Sequence, residues 1–233
     1  MISLFISPTF YILITIVFYV IFQLLYTKTK KAYFHPLILT GVILILYLFL
    51  ISNLTNKNPI EHLKEYNDSL NIVNLMLGPL TVLLAVPIFK NWLTLKKYWF
   101  PVLIATIVGS VVSILSVYFL GLVFNLDYTI IISLLPKSVT TAIAKEISSN
   151  INAIPELTIA AVIFTGVLGS ILGPTLSKLF NFNDNISCGL SFGVSSHAVG
   201  TSKAMELSEE IGAISSIAIV TTGILTMMIL LFI

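Results

Sequence analysis

The sequence predicts an all-α integral membrane protein of about eight membrane segments, some of them broken into half-helices. Hydrophobic residues make up 57% of the 233 residues and charged residues 9%, which leaves too few polar side chains to cover a water-soluble globule. Apolar stretches recur at close to the ~20 residues that a helix needs to cross a bilayer core. Two polar segments, 133–147 and 193–207, interrupt such stretches. Polar backbone at that depth is tolerated only inside protein or beside a watery cavity, so these segments indicate a pathway or binding site.

The apolar stretches define the predicted membrane segments. The N-terminal one is predicted to be retained, because no positive charge precedes it and no small-residue cleavage pattern follows it. No long linker separates a soluble domain, so a single membrane domain is predicted over 1–233. The predicted segments are 8–26, 36–52, 69–89, 98–124, 127–148, 157–180, 186–206 and 211–233.

Charge sets the predicted orientation. Lysines follow the first segment and recur at 90–97 without an acid, which places both loops in the cytoplasm. The polar stretch 53–69 holds three acids against two lysines and is predicted to lie outside as a loop. If 127–148 or 186–206 is a re-entrant hairpin and not a full crossing, the later orientations invert, and both alternatives stay open.

Composition and motifs exclude several functions. All twelve basic residues are lysine and the net charge is only +2, so no nucleic-acid partner is expected. The single cysteine, Cys188, allows no internal disulfide, and without clustered Cys or His no metal site is predicted. P-loop and HExxH motifs are absent, so neither an enzyme nor a cofactor is predicted.

Three proline-containing points are predicted to interrupt helices: Gly78-Pro79, Pro136 and Gly173-Pro174. A kink filled by neighbouring helices is the alternative for the two Gly-Pro pairs. Pro136 differs because polar residues follow it at once. That pattern favours a functional break there.

The half-helix that restarts after Pro136 carries Lys137, Ser138, Thr140 and Thr141 near its start. A hydroxyl at or near the N-cap, free N–H groups and the lysine charge together suit a carboxylate. In the alternative, Ser138 only caps the helix and Lys137 extends to the headgroups.

The second polar segment is predicted to restart in the same way, with Ser195 and Ser196 as caps. Helical spacing then places its other polar and small residues on two adjacent stripes. The first stripe holds Ser196, Gly200 and Lys203, and the second holds His197 and Thr201.

The two segments share the pattern S-x-x-x-[AG]-x-x-K. The first copy runs from Ser138 to Lys145, and the second runs from Ser196 to Lys203. This favours an internal repeat, although a chance match in a biased composition is the alternative.

Titratable residues in these segments are candidates for coupling transport to protons. His197 within a membrane segment suits a proton carrier or substrate ligand, and a neutral ring bonded to a backbone carbonyl is the alternative. Glu146 and Glu206 are further coupling candidates. Each alternatively pairs with a neighbouring lysine or faces water.

Three sequence blocks together resemble the LrgB/CidB family of bacterial membrane proteins, most closely its CidB-like branch, which is related to the plastidial glycolate/glycerate translocator. The blocks are LLPKSVTTAIAKEIS, LGP…AVPIFKN (77–91) and SSHAVGTSKAMEL, and the resemblance spans nearly the whole chain. Lys145 departs from the family pattern, where an apolar residue is usual. The matching residues are Pro136, Ser138, Thr140, Glu146, Ser196, His197, Gly200, Thr201, Lys203 and Glu206.

The resemblance implies a multi-pass protein in the plasma membrane of a bacterium, of the Gram-positive type, with a small LrgA/CidA-type membrane partner. It implies two accounts of function: transport of small monocarboxylates of the pyruvate, acetate and glycolate class, or holin/antiholin-like control of murein hydrolases and autolysis.

The main prediction is a transporter of a small organic anion, with the holin/antiholin-like role as the alternative. Membrane lipid is an expected partner, and a homo-oligomer is an expectation for a membrane carrier. The carboxylate is predicted to bind where the restarted helices meet near mid-membrane, at Pro136, Lys137, Ser138, Thr140, Thr141, Ser195, Ser196, His197, Gly200, Thr201 and Lys203.

Overall fold

A computed structural model describes the chain over residues 5–29, 34–76, 79, 82–83, 85–90, 92–182 and 184–232. Its contacts divide the chain into two compact units, Met1–Pro79 and Leu80–Ile233. Every regular element in the described part is helical. The all-α prediction is therefore confirmed, whereas the single domain over 1–233 stays a prediction.

The first unit holds four helices. Prolines at the first positions of α2 and α3 fit the helix start, where no N–H partner is needed. The Asn58 side chain caps α3 by accepting from the N–H of Ile60 at 3.0 Å. The helices are α1 Pro8–Thr29, α2 Pro36–Thr55, α3 Pro59–Ser69 and α4 Asn71–Leu75. The interpretation of 53–69 as a loop was wrong, because most of it forms α3.

A histidine ties α3 to the end of α2. The His62 ring is fully buried, with its Nε2 2.8 Å from Thr55 Oγ1 and its Nδ1 3.0 Å from the Glu65 carboxylate. Lys57 pairs with the same carboxylate at 3.1 Å. Partial burial opposes ionisation of Glu65, but the hydrogen bonds from Lys57 and His62 outweigh it and lower its pKa. The network fixes a short polar helix that has little apolar surface of its own.

The second unit contains α5 Ala85–Lys90, α6 Trp92–Val123, α7 Tyr128–Leu134, α8 Thr141–Asn150, α9 Pro155–Leu179, α10 Asn185–Leu207 and α11 Glu209–Leu231. The apolar stretch of α11 is 56% buried, against 22% for α6 and 28% for α9. Helix α11 is therefore the centre of this unit, and α10, α6, α8 and α5 all pack against it.

Close contact between α10 and α11 depends on two glycines spaced as GxxxG. A Cβ on Gly189 would lie 2.7 Å from the Ile211 carbonyl oxygen, and one on Gly193 would overlap the carbonyl oxygen of Ser215. Glycines at this spacing allow close helix contact in membrane proteins, and these contacts are of that kind. The two backbones approach more closely than any larger side chain would allow.

Five described helices are long and apolar enough to cross a membrane, and they coincide with the predicted segments 8–26, 36–52, 98–124, 157–180 and 211–233. The other three predicted segments differ. Segment 69–89 includes residues outside the described ones, 127–148 forms the two short helices α7 and α8, and 186–206 forms α10 with a break inside it. The count of eight crossings stays a prediction.

The predicted Gly-Pro interruptions have separate outcomes. Helix α9 runs from Pro155 to Leu179 with Pro174 inside it, so the interruption predicted at Gly173-Pro174 was wrong. Gly173 packs against the Phe192 ring of α10, and a kink at this pair stays a prediction. Gly78 lies outside the described residues.

Candidate functional site

The first polar segment contains a true helix break. Helix α7 ends at Leu134, residues 135–140 are not helical, and α8 begins at Thr141. The N-cap is Thr140, with extended φ and ψ of −66° and 151°, so Ser138 is not the capping residue. Thr140 makes no capping bond with its side chain. Its buried Oγ1 has no hydrogen-bond partner among the described residues.

Lys137 occupies the break. Its ammonium donates to Ser113 Oγ at 3.3 Å and to Ser138 Oγ at 3.2 Å, and the two hydroxyls lie 2.9 Å from each other. No carboxylate in the described part of the chain lies within ion-pair distance of this ammonium. An ammonium has three donors, so one remains for a ligand after these two bonds.

The second polar segment is broken at a single residue. Helix α10 is continuous except at His197, where φ is 41° and ψ is −139°. The helix therefore runs through Ser195 and Ser196, and the prediction that these serines cap a restarting helix was wrong. The Ser195 hydroxyl instead donates to the Ser191 carbonyl one turn earlier at 2.6 Å, and Ser195 is exposed.

The His197 ring is held by α9. Its Nε2 lies 2.8 Å from the carbonyl oxygen of Val162, and because a carbonyl only accepts, Nε2 carries the hydrogen. A positive φ at a non-glycine residue is strained and persists only where the surroundings over-determine it. The contact is the one expected of a structural histidine, so a proton-carrying role stays a prediction.

A line of glycines on α9 receives the broken region of α10. A Cβ at any of the three positions would overlap the side chain opposite it, so α9 and α10 approach closely here. The facing pairs are Gly166 with His197, Gly169 with Ser196, and Gly173 with Phe192.

Other predicted site residues of the second segment make contacts with neighbouring residues of the protein. Thr201 Oγ1 lies 2.6 Å from Ser215 Oγ, and both are buried. Gly200 leaves room for the Ser196 side chain one turn earlier on α10. The Lys203 ammonium pairs with the Glu206 carboxylate at 2.6 Å on the partly exposed end of the helix.

The remaining predicted residues are distributed around the first break. Pro136 is buried, Thr141 is half-buried, and Lys145 and Glu146 are exposed on α8. Binding by any of the predicted residues stays a prediction.

Helix α6 brings the two breaks to the same level. Gly109 contacts Val194, just before the break in α10, and Ser113 contacts the first break through Ser138. These two α6 residues are one turn apart, about 6 Å along the axis. The breaks therefore form one polar region inside an otherwise apolar unit.

Four hydroxyl residues of this region were missed in the sequence. Ser110 and Ser113 are spaced i, i+3 on α6, and Thr226 donates to Ser110 at 3.4 Å. Thr222, one turn from Thr226 on α11, is buried and its Oγ1 has no partner among the described residues. The sequence feature that could have identified these four residues is the recurrence of hydroxyl side chains at helical spacing in two apolar segments.

The groups of this region are chemically suited to an anion. The region combines one ammonium, the start of α8 and hydroxyls that either donate or accept. Within the described part, no group of three or more His, Cys, Asp or Glu is placed to hold a metal ion.

Comparison with known proteins agrees with the resemblance seen in the sequence. The model of a family described as LrgB-like matches residues 15–233. Antiholin-like protein LrgB of Bacillus mycoides (strain KBAB4) is 35% identical over 225 residues, covering 96% of this chain and 94% of the relative. The proteins of the same name from Bacillus cereus (strain B4264) and Bacillus anthracis (strain CDC 684 / NRRL 3495) are 34% identical with the same coverage. No solved structure matches the chain significantly.

Proposed function

The chain belongs to the LrgB-like family of bacterial membrane proteins, and from this premise we propose that it is antiholin-like: it restrains membrane leakage caused by a small LrgA/CidA-type partner. The observation that carries the proposal is the name shared by relatives that cover almost the whole chain. The relatives' names favour this role over the transporter that was the main prediction from the sequence.

The packing of the second unit supports the same proposal. Glycines let α10 lie close against both α9 and α11, with backbone and side chains filling the contact. A lesion that passes large solutes requires helices that separate around water, and these helices are in close contact over several turns. A chain built in this way is better suited to holding a partner in a closed state than to forming a wide hole.

Reconstitution tests the antiholin-like role. Liposomes loaded with a self-quenched dye receive the small partner alone, this chain alone, or both in equal amounts. We expect leakage from the partner alone, none from this chain alone, and at least a twofold reduction when both are present. Dye release by this chain alone, or undiminished release with both, would contradict the proposal.

A second candidate function is transport of small monocarboxylates such as pyruvate, acetate or glycolate. The observation that favours it is the Lys137 ammonium in the break before α8, bonded to two hydroxyls and to no carboxylate among the described residues. A bound carboxylate would supply the missing negative charge and use the remaining ammonium donor. The buried Thr140 hydroxyl would supply a further bond.

Uptake of labelled pyruvate and acetate into liposomes that hold this chain tests transport. Saturable uptake is expected, and Lys137→Met is expected to abolish it, because an ammonium that binds the anion is replaced by an apolar side chain of similar length. Lys145→Met is the matched control, since Lys145 is exposed on α8 outside the break. Uptake that is absent, or equal in both variants, would remove the transport proposal without touching the antiholin-like one.

A further inference from the structure

Helix α6 is longer than a membrane crossing requires. Its 32 residues extend about 48 Å at 1.5 Å per residue, whereas a bilayer core is about 30 Å thick. The backbone leaves helical geometry at Tyr98, with φ −113° and ψ 21°, and Pro101 follows within a turn. Residues 99–123 alone extend about 37 Å, so residues 92–97 are not needed for the crossing and run in another direction.

The segment before the kink is both apolar and basic on its exposed side. Trp92 is 55% exposed and Leu93 81% exposed, and Trp99 just after the kink is 58% exposed. Lys96 and Lys97 between the two tryptophans are exposed as well. Tryptophan with lysine is the combination found where a chain meets the headgroup region of a bilayer.

The charge of the segment is not neutralised along the chain. No acidic residue occurs between Asp68 and Asp127. In the described part of the chain, neither Lys96 nor Lys97 has a carboxylate within ion-pair distance. The Lys97 ammonium lies 4.9 Å from the centre of the Tyr98 ring.

A neighbouring lysine is placed differently. Lys90 lines a groove of about 820 Å³ together with Glu209 and Glu210 at the start of α11. Glu210 also acts on Lys97 from beyond ion-pair distance and accepts from Asn185 at 2.6 Å. Lys96 and Lys97 do not line this groove, and both are exposed.

We propose that residues 92–99 form an interfacial segment that binds the headgroups of anionic phospholipids through Lys96 and Lys97, with Trp92 and Trp99 set in the adjoining acyl boundary. Charge complementarity commits the surface to this occupant. Two exposed ammonium groups with no described carboxylate within ion-pair distance, beside amphipathic rings, match a negatively charged bilayer surface. The segment anchors the start of α6, the helix that contacts both breaks. The inference concerns lipid selectivity and depends on neither proposed function.

Intrinsic fluorescence tests this inference, because Trp92 and Trp99 are the two tryptophans of the protein. The full chain is reconstituted in phosphatidylcholine vesicles that contain one quarter phosphatidylglycerol. In one preparation the phosphatidylglycerol carries brominated acyl chains, and in the other the phosphatidylcholine does. The total amount of bromine is the same in both. Quenching then reports which lipid lies beside the segment. Trp92→Phe and Trp99→Phe variants assign the signal to each ring.

We expect brominated phosphatidylglycerol to quench more strongly than its share of the lipid predicts. Each of Lys96→Gln and Lys97→Gln is expected to lower the relative association of that lipid about fivefold, which is the effect of one lysine near a charged surface. Lys145→Gln, which removes an exposed lysine from α8, is the matched control and should change nothing. Equal quenching by both lipids, no quenching at all, or an equal effect of all three lysine variants would overturn the proposal.

Discussion

Gly193→Ala is predicted to loosen the contact between α10 and α11. A Cβ at this position would overlap the carbonyl oxygen of Ser215 and lie 2.7 Å from the Cβ of Ala218. Neither obstacle is the end of a flexible side chain, so relief requires the two helices to move apart. Gly41→Ala on α2 is the matched control, because a Cβ there meets nothing within 4 Å.

Two effects of the substitution have to be compared. Alanine is better than glycine in a helix interior by about 1 kcal/mol, but this gain is the same in the closed and open states as long as α10 stays helical, so it does not change the free energy of opening. Overpacking a close contact costs about 1–3 kcal/mol, and only Gly193→Ala incurs it. The free energy of local opening is therefore expected to be about 1–3 kcal/mol lower in Gly193→Ala than in Gly41→Ala.

The single cysteine supplies the assay. Cys188 is buried on α10 near Gly193, with its thiol 3.7 Å from the Ser177 hydroxyl. A maleimide reaches it only when the helices open, so its labelling rate follows the population of the open state. Gly193→Ala is expected to label about 5- to 150-fold faster than Gly41→Ala. Equal rates would refute the argument that this glycine sets the distance between the helices.

Two further substitutions test single hydrogen bonds. Thr201→Val removes the 2.6 Å bond to buried Ser215 and should lower the free energy of unfolding by about 1 kcal/mol in urea, whereas Thr201→Ser should restore it. Asp184 caps α10 by accepting from the Ser187 N–H at 2.7 Å, and that bond lowers the pKa of its carboxyl. Asp184→Ala should cost about 1 kcal/mol at neutral pH. The pKa of Asp184 is lower in the folded state than in the unfolded state. The electrostatic contribution of the cap to stability is therefore complete above the unfolded-state pKa and is lost as pH falls through the folded-state pKa. A free energy of unfolding that depends on pH equally in Asp184→Asn and in the unchanged chain would contradict this.

Hydropathy and length predict the five long helices well, because their solvent is lipid and their composition must match it. The same criteria failed at α3, whose residues are polar. That helix depends on its Asn58 cap and on the buried His62 network, which joins residues from two helices. The mean hydropathy of a stretch of residues contains no information on either contact.

The two breaks differ in how far sequence predicts them. Pro136 lacks an N–H group and so stops a helix from its own chemistry, and the break lies directly around it. No residue near His197 forbids a helix. Its backbone is set by the carbonyl of Val162 and by the space that Gly166 leaves on α9. A break determined by a neighbouring helix cannot be located from the local sequence.

The missed hydroxyls have a related explanation. A serine or threonine in an apolar helix usually bonds a carbonyl of its own helix, as Thr106 does with Val102 at 2.8 Å. Ser113 looks the same in sequence, yet its hydroxyl bonds Ser138 and Lys137 of the first break. Only the packing of α6 against that break separates the two cases.

The two proposed functions place different demands on the same unit, and this makes them separable. Restraint of a partner depends on how closely the helices pack, so Gly193→Ala should weaken it while Lys137→Met should leave it intact. Carboxylate transport depends on the charge at the first break, so Lys137→Met should abolish uptake. A Lys137→Met chain that still suppresses leakage but takes up no pyruvate would assign both functions to this protein, with the break serving transport alone. A Lys137→Met chain that loses both would instead indicate that the ammonium and its two serine partners hold the helices together, because one structural defect would then remove both activities.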